Sequence, residues 1–211
     1  MTDTSPERPS QDLFADKAAE WDRRPVPAQI SVGVFGALRR DVELSSELTV
    51  LDFGAGTGLI ATQVAPLVRR VLAVDVSASM LEQLAAKPLD GGEIDVRCVN
   101  ILDEPLGESV DLVMSAMAMH HVEDTAALFG AFFDHLVPGG RLALADLDAE
   151  DGSFHPPGME GVFHDGFDRE SLSAVAVAAG FESPAFVTAT EVEKEGRRYP
   201  IFLMTAVKPT A

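Results

Sequence analysis

The chain has 211 residues, of which 46% are hydrophobic, and its formal net charge is −18. This apolar content excludes a disordered chain and suffices for the core of one domain. Sixteen Lys and Arg stand against 34 Asp and Glu, and the basic residues form no cluster. The charge balance therefore disfavours nucleic acid and anionic membrane surfaces as partners.

Cysteine content and the amino terminus indicate the compartment. Cys98 is the single cysteine, which excludes an intramolecular disulfide and a multi-cysteine zinc site. No run of 18 apolar residues predicts a membrane span. Residues 1–11 are predicted to be a flexible polar leader without a secretory signal. We therefore expect a cytoplasmic protein.

Two helices are predicted after this leader. Apolar residues recur at helical spacing over residues 12–22 and again over residues 28–40. Pro25 and Pro27 lie between the two stretches and are expected to break the chain there.

Strands and helices alternate over the next hundred residues. Short apolar runs rich in β-branched residues predict buried parallel strands, and stretches of helical period lie between them. Ser77, Asp124 and Asp168 stand where a side chain can cap the first turn of a helix. Pro138-Gly139-Gly140 is predicted to stop the helix that follows Asp124. The predicted strands span residues 48–53, 70–75, 94–99, 110–115 and 141–147, and a helix is predicted over 59–68.

The last part of the chain predicts a hairpin. Residues 184–191 and 199–207 have strand character on either side of Glu195-Gly196. Because strands and helices alternate before it, we predict an α/β fold: a Rossmann-like, doubly wound, mostly parallel seven-stranded sheet. Helices cover both faces, and the hairpin is antiparallel. Ligands on such sheets bind at the carboxyl ends of the strands.

A glycine-rich segment, Leu-Asp-Phe-Gly-Ala-Gly-Thr-Gly over residues 51–58, stands where the first strand turns into a helix. Glycines there permit positive φ and a close approach of a ligand to the backbone. Leu59 occupies the position of the third glycine in a dinucleotide fingerprint, which disfavours a nicotinamide oxidoreductase. Asp75 closes the second strand, where an acid can bind ribose hydroxyls. An ordinary glycine turn and a capping aspartate are the alternatives.

These segments resemble the class I S-adenosylmethionine-dependent methyltransferases that act on small molecules. LDFGAGTG is similar to the family's first motif, and VLAVDVS to the strand that bears its ribose acid. SVDLVMSAMAMHHVED and HLVPGGRLALADLD resemble the regions of the fourth and fifth strands, and DLFADKAAEWD resembles a lid helix. The resemblance covers about residues 12–208. It implies lid helices over 12–45, a methyltransferase domain over 46–211, and methyl transfer from S-adenosylmethionine to a small molecule.

The resemblance also implies a set of cofactor-binding residues. Asn100 stands where the family usually has an acid for the adenine amino group, and Asp103 is a nearby alternative. Trp21, in the first predicted helix, either closes over the cofactor or anchors that helix in the core. The implied set is Trp21, Asp52, Gly54, Ala55, Gly56, Asp75, Val76, Met80, Asn100, Ile101 and Ser115.

Four histidines are candidates for catalysis, whereas His135 is expected to be structural. His120-His121 follows the fourth strand and is either a base near neutral pH or a packing element. His155 and His164 lie in the irregular segment 151–166, a predicted substrate lid because such long loops are usually functional. A metal site built from His121, His155 and His164 with Asp146 or Asp148 is disfavoured because no ligand pair has a tight motif spacing.

The same segment indicates the acceptor. Phe154, Met159, Val162 and Phe163 suit an apolar or aromatic small molecule. Relatives that methylate amide or adenine nitrogens usually carry an Asn/Asp-Pro-Pro-aromatic segment, where this chain has Ser-Ala-Met-Ala. Cysteine-based methylation of nucleobases is also disfavoured, since the one cysteine lies in a strand. We predict a monomeric or homodimeric enzyme, with a non-catalytic cofactor-binding regulator as the alternative from another class.

Overall fold

A computed structural model describes residues 12–210, so the predicted leader over residues 1–11 lies outside the described residues. The chain forms one seven-stranded sheet with the strand order β3-β2-β1-β4-β5-β7-β6. Only β7 runs antiparallel to its neighbours, β5 and β6, among the strands of this sheet. The strands are β1 (Thr49–Phe53), β2 (Arg70–Asp75), β3 (Ile94–Cys98), β4 (Val110–Ala116), β5 (Leu136–Leu147), β6 (Glu182–Lys194) and β7 (Arg197–Val207).

This topology confirms the predicted fold class and positions the site. From β1 the chain moves outward through β2 to β3, then returns across β1 to β4. The order therefore reverses between β1 and β4, whose ends Phe53 and Ser115 are aligned. A crevice opens where connections leave neighbouring parallel strands in opposite directions. Ligands are accordingly expected above the carboxyl ends of β1, β2 and β4.

Helices cover both faces of the sheet, as the sequence predicts. The predicted caps are confirmed: Ser77, Asp124 and Asp168 each accept a backbone N–H of the first helical turn through the side chain. The α-helices are α1 (Pro25–Asp41), α2 (Ala61–Val64), α3 (Ala78–Ala85), α4 (Thr125–His135) and α5 (Arg169–Ala178).

The predicted break between the two helical segments is present, but it lies at Arg24 rather than at Pro25 and Pro27. Helix α1 begins at Pro25, because proline has a fixed φ suited to the first turn and the N–H it lacks has no partner there anyway. The helix predicted over residues 12–22 is instead a run of turns followed by a 3₁₀ helix, Ala18–Arg23.

Two further element boundaries differ from prediction. The helix expected over residues 59–68 shortens to α2 and then becomes a 3₁₀ helix, Ala65–Leu67, at Pro66. Helix α4 ends at His135, before Pro138, and the residues Pro138–Gly140 belong to β5. Pro138–Gly140, residue types that usually form turns, are therefore part of a strand that begins directly after the helix.

The core lies on the two faces of the sheet. Every residue of β1 is buried, as a central parallel strand requires. One cluster joins α1 and α2 to the sheet, and a second joins α4 and α5 to the opposite face. A smaller third cluster packs α3 against β2. Within residues 12–210, no helix is long and apolar enough to cross a membrane.

Candidate active site

One cavity of about 1020 Å³ opens above the carboxyl ends of β1, β2 and β4. The glycine loop and the end of β2 form one side, and the segments after β3 and β4 continue the wall. Residues 14–31 and the irregular segment 154–163 cover it. The cavity thus lies where the reversal of strand order predicts a ligand.

The glycine loop forms the floor of the cavity, and Gly54, Ala55 and Gly56 all line it. Gly54 has a φ of +67°, and a Cβ there would lie 2.2 Å from the Cβ of Ala118. Gly56 has a φ of +55°, and a Cβ there would meet nothing within 4 Å. Gly54 therefore permits two segments of the protein to pack closely, whereas Gly56 leaves space that a ligand can fill.

Asp75 holds this loop in position. Its Oδ2 accepts the N–H of Gly56 at 2.8 Å, and its Oδ1 accepts the N–H of Ser77 at 2.8 Å. Burial raises the pKa of Asp75, while these hydrogen bonds oppose the rise. Val76 and Met80 also line the cavity, as the resemblance implies.

Asp52 is a buried carboxyl group at the floor of the cavity. Its side chain is 2% exposed, and Oδ2 has no hydrogen-bond partner among the residues that the structure describes. Burial, together with the charge of Asp75, raises the pKa of Asp52 to about 8. An orphaned buried acid of this kind fits a ligand that brings a positive charge.

Of the two residues predicted after β3 for adenine binding, Asn100 and Ile101, only the first lies on the cavity surface. Asn100 lines the cavity, and its amide donates to Oδ2 of Asp103 at 2.7 Å. Val99 and Leu102 line the cavity too. Ile101 is 2% exposed and belongs to the hydrophobic core, so the structure places it behind the wall.

Ser115 likewise lies behind the cavity surface. Its hydroxyl is buried and donates to the carbonyl of Phe53 at 2.8 Å, which ties β4 to β1. The next residues, 116–118, form the surface instead. Met117 has a φ of +58°, a conformation that costs about 1–2 kcal/mol for a residue with a side chain. Such strain clusters at functional sites.

The amino-terminal segment crosses the mouth of the cavity and is fastened at two points. Asp12 accepts the hydroxyls of Ser77 and Ser79 at 2.8 and 2.7 Å. Asp22 accepts the hydroxyl of Thr57 in the glycine loop at 2.5 Å. Trp21 lies between these points and lines the cavity, where it is half-buried. A lid role for Trp21 stays a prediction.

His120 forms a buried pair with Asp146. Oδ1 of Asp146 is 2.7 Å from Nδ1 of His120, and the side chains are 0% and 1% exposed, respectively. Asp146 also accepts the backbone N–H of His120 at 3.2 Å and that of Leu147 at 2.8 Å. Because a carboxylate accepts, the ring proton lies on Nδ1. Nε2 is then the nitrogen available to a ligand in the cavity that His120 lines.

His121 and His155 complete a cluster of three imidazoles. The ring of His120 lies 4.2 Å from that of His121 and 4.8 Å from that of His155, measured between centroids. Burial, with the nearby His120, lowers the pKa of His121 and of His155 to about 4. Both imidazoles are therefore neutral at pH 7. Nε2 of His155 is buried and has no partner within residues 12–210.

His164 lies apart from this cluster. It does not belong to the cavity wall, and its Nε2 is 2.9 Å from the carbonyl of Val122 and 3.2 Å from the hydroxyl of Thr125. The structure thus separates one candidate histidine from the other three. Across residues 12–210, no three His, Cys, Asp or Glu side chains are arranged to hold a metal ion.

The segment over residues 151–166 is irregular, as predicted, and is attached along the histidine segment. The N–H of Phe163 donates to the carbonyl of His120 at 2.9 Å, and Nδ1 of His121 donates to the carbonyl of Gly161 at 2.5 Å. Phe154, Met159 and Phe163 line the cavity. His135 is buried and bonded to backbone groups, as expected of a structural histidine.

Several residues of the site were not found by sequence reasoning. Asp146 was considered only as a metal ligand, and Lys17, Arg24 and Lys194 were not considered although they line the cavity. The sequence signal of these lysines and of Arg24 is weak, since a lone charged residue has no distinctive spacing. Asp146 could have been found, because an acid near the end of a buried apolar strand is unusual.

Comparison with known proteins agrees with this architecture. Residues 50–140 match the family model described as a methyltransferase domain. An uncharacterized methyltransferase of Schizosaccharomyces pombe is 32% identical over 60% of this chain and 51% of its own length. A ubiquinone biosynthesis O-methyltransferase of Bradyrhizobium sp. is 34% identical over 52% of this chain and 44% of its own length. The chain spans about half the length of the curated relatives it matches.

Solved structures share the fold over nearly the whole chain. The DhpI complex with S-adenosylhomocysteine aligns with a TM-score of 0.71 at 23% identity and covers 94% of this chain and 95% of that one. The N-methyltransferase NodS from Bradyrhizobium japonicum, also with S-adenosylhomocysteine, aligns with a TM-score of 0.70 at 17% identity, over the same shares of the two chains. The chain thus has the fold of these solved structures, and its residues 50–140 are similar to a methyltransferase domain.

Proposed function

We propose that this protein transfers a methyl group from S-adenosylmethionine to a small-molecule acceptor. One observation carries the proposal: a single cavity joins the glycine loop and Asp75 to the pair of His120 and Asp146. Its volume of about 1020 Å³ reaches the upper end of the range for one drug-sized ligand. A cofactor and a small acceptor can therefore bind side by side.

The residues at one end of the cavity suit S-adenosylmethionine. The buried carboxyl group of Asp52 would pair with the ammonium group of the methionine part, and Asp75 would accept the ribose hydroxyls. The open space at Gly56 would admit the cofactor, with Val76 and Met80 beside the adenine. Bound there, S-adenosylmethionine would supply an electrophilic methyl group on its sulfonium.

At the other end, His120 is placed to act as a general base. Asp146 keeps the proton on Nδ1, so that Nε2 can take a proton from an acceptor hydroxyl. The carboxylate also stabilises the imidazolium that results. His121 and His155 remain neutral beside it, because their pKa values lie near 4. The proton removed from the acceptor would accordingly reside on His120.

The cover of the cavity would position the acceptor and exclude water. Phe14, Trp21, Phe154, Met159 and Phe163 present an apolar surface toward it. Holding the nucleophile about 3 Å from the methyl group can supply a large share of the rate. Such a lining suits an apolar or aromatic acceptor, and relatives named as O-methyltransferases support a small molecule.

Residues 12–45 would act as the lid of this site, over a methyltransferase domain at residues 46–211. Asp12 and Asp22 fasten the lid to the cofactor side. The single exposed thiol, Cys98, supports the further expectation of a reducing, cytoplasmic location. A monomer or a homodimer would suffice, since all the residues of the proposed site come from one chain.

A binding measurement followed by an activity measurement tests the proposal. S-adenosylhomocysteine should raise the melting temperature, because it binds only the folded state, whereas NAD should not. S-adenosylmethionine should then be converted to S-adenosylhomocysteine in the presence of a suitable small acceptor from a panel. Stabilisation by NAD alone would contradict the cofactor assignment. Binding without turnover across acids, phenols, alcohols and amines would favour a regulator.

A further inference from the structure

The acceptor end of the cavity carries positive charge in a strongly acidic protein. Lys17 and Lys194 are half-buried and line the cavity, although the chain as a whole has a net charge of −18. Within residues 12–210, neither lysine has a carboxylate within 4.0 Å. Nζ of Lys194 donates to the carbonyl of Phe154 at 2.6 Å. Because this carbonyl is neutral, the bond does not neutralise the charge of Lys194.

Both lysines lie close to the histidine cluster. The ring of Phe14, which Lys17 approaches, lies 5.4 Å from the ring of His121 between centroids. The ring of Phe154, whose carbonyl binds Lys194, lies 5.0 Å from the ring of His155. Lys17 also lies 5.8 Å from the ring centroid of Phe14. Two ammonium groups therefore border the place where the acceptor would approach His120.

The acidic residues of the cavity are located elsewhere. Asp52 and Asp75 belong to the proposed cofactor end, and Asp103 is bonded to Asn100 beside it. Glu123 and Glu195 line the cavity but are exposed, so water screens their charges. Asp146 is also buried beside the imidazoles, but its carboxylate does not line the cavity and is bonded to Nδ1 of His120 and to two backbone N–H groups. The half-buried charges that line the cavity near the imidazoles, Lys17 and Lys194, are positive, and charges in such partly desolvated positions interact more strongly than charges at the rim.

We propose that the methyl acceptor is an organic anion, an apolar or aromatic molecule whose carboxylate or comparable oxyanion binds Lys17 and Lys194. The proposal rests on the function proposed above and narrows its acceptor. An anionic group would form charge-assisted hydrogen bonds with the ammonium groups. An ammonium acceptor would instead meet two like charges among neutral imidazoles.

Binding of matched probes to the full chain saturated with S-adenosylhomocysteine tests the proposal. Phenylacetate, 2-phenylethanol and 2-phenylethylamine share one body and differ in charge. Triplets built on 4-hydroxyphenyl and naphthyl bodies extend the series to other acceptor sizes. Calorimetry should show that the acid binds at least tenfold more tightly than the amine in one triplet or more. Added salt should weaken binding of the acid.

Lysine variants identify the charges responsible. Lys17→Met and Lys194→Met should each lower the affinity for the preferred acid by about threefold to tenfold, whereas Lys194→Arg should retain it. Arg39→Met removes one exposed positive charge outside the cavity and should leave the affinity unchanged. Melting with S-adenosylhomocysteine verifies that each variant is folded.

The outcomes separate this proposal from the function on which it rests. If S-adenosylhomocysteine does not bind, the proposed function fails. If it binds but no acid binds, or the amine of every triplet binds as tightly as its acid, the function stands and the anionic acceptor is overturned. Acid binding that survives both Lys→Met substitutions also overturns it.

Discussion

Asp52 offers the sharpest test of the proposed cofactor end, because its carboxyl group is buried and Oδ2 has no partner among residues 12–210. We expect Asp52→Asn to make the ligand-free protein more stable than wild type at neutral and alkaline pH. The folded-state pKa of about 8 exceeds the ordinary value of 3.8. At about 1.4 kcal/mol per pKa unit, the difference corresponds to roughly 6 kcal/mol as an upper bound.

The sign follows from proton binding. Because the pKa of Asp52 is raised in the folded state, the folded protein holds a proton that the unfolded chain has released. The stabilisation is complete below about pH 4 and is lost progressively as the pH rises to about 8. Between these limits, wild type should lose roughly 1.4 kcal/mol of unfolding free energy per pH unit relative to Asp52→Asn. The amide resembles the protonated acid in shape and does not titrate.

Urea unfolding of both proteins at pH 5, 6, 7 and 8 measures this difference. Titrations of the other groups occur in both proteins and cancel in the comparison. Saturating S-adenosylhomocysteine should remove the slope, since its ammonium group would stabilise the ionised Asp52. Its binding at pH 7 should then release about one proton in wild type and none in Asp52→Asn. A stability difference that is independent of pH would refute the assignment of Asp52 as a buried, unpaired acid.

Three further changes test other parts of the site. Gly56→Val should lower the affinity for S-adenosylhomocysteine at least 100-fold by calorimetry, because its side chain would occupy the open space above the loop. Asp75→Asn should weaken the same binding about tenfold, since a charge-assisted acceptor is lost. Asp146→Asn should reduce turnover by about 10²–10⁴-fold with cofactor affinity retained, because His120 loses the partner that orients it.

Two of these changes have a matched control variant. Gly107→Val introduces similar strain at a φ of +73°, outside the cavity, and should not affect cofactor binding. Asp111→Asn alters another carboxylate that accepts a backbone N–H, that of Thr49, and should leave the cofactor affinity unchanged. For Asp146→Asn, the pH dependence of turnover distinguishes a catalytic role of the His120–Asp146 pair from a structural one. A lower stability with an unchanged profile would mean that the pair is structural.

The residues of the proposed cofactor end could be selected from the sequence because they belong to short, contiguous motifs. Asp52, Gly54 and Gly56 lie in one turn after a buried strand, and Asp75 ends the next strand. Apolar period and glycine spacing determine these features locally, so that fold class and cofactor end follow from the amino-acid order. Prolines misled the prediction at Pro25 and Pro138, where helix geometry and strand pairing decided the local structure.

Only the tertiary structure decided the acceptor half. His120 and Asp146 are 26 residues apart and meet because β4 and β5 are adjacent parallel strands. Lys17 and Lys194 come from opposite ends of the chain and border one cavity because the amino-terminal segment and the β6–β7 hairpin both cover it. Strand order brings such residues together. Because no local pattern records that order, the sequence by itself determined the fold class and predicted a cofactor end, but it did not determine which side chains would line the other end of the cavity.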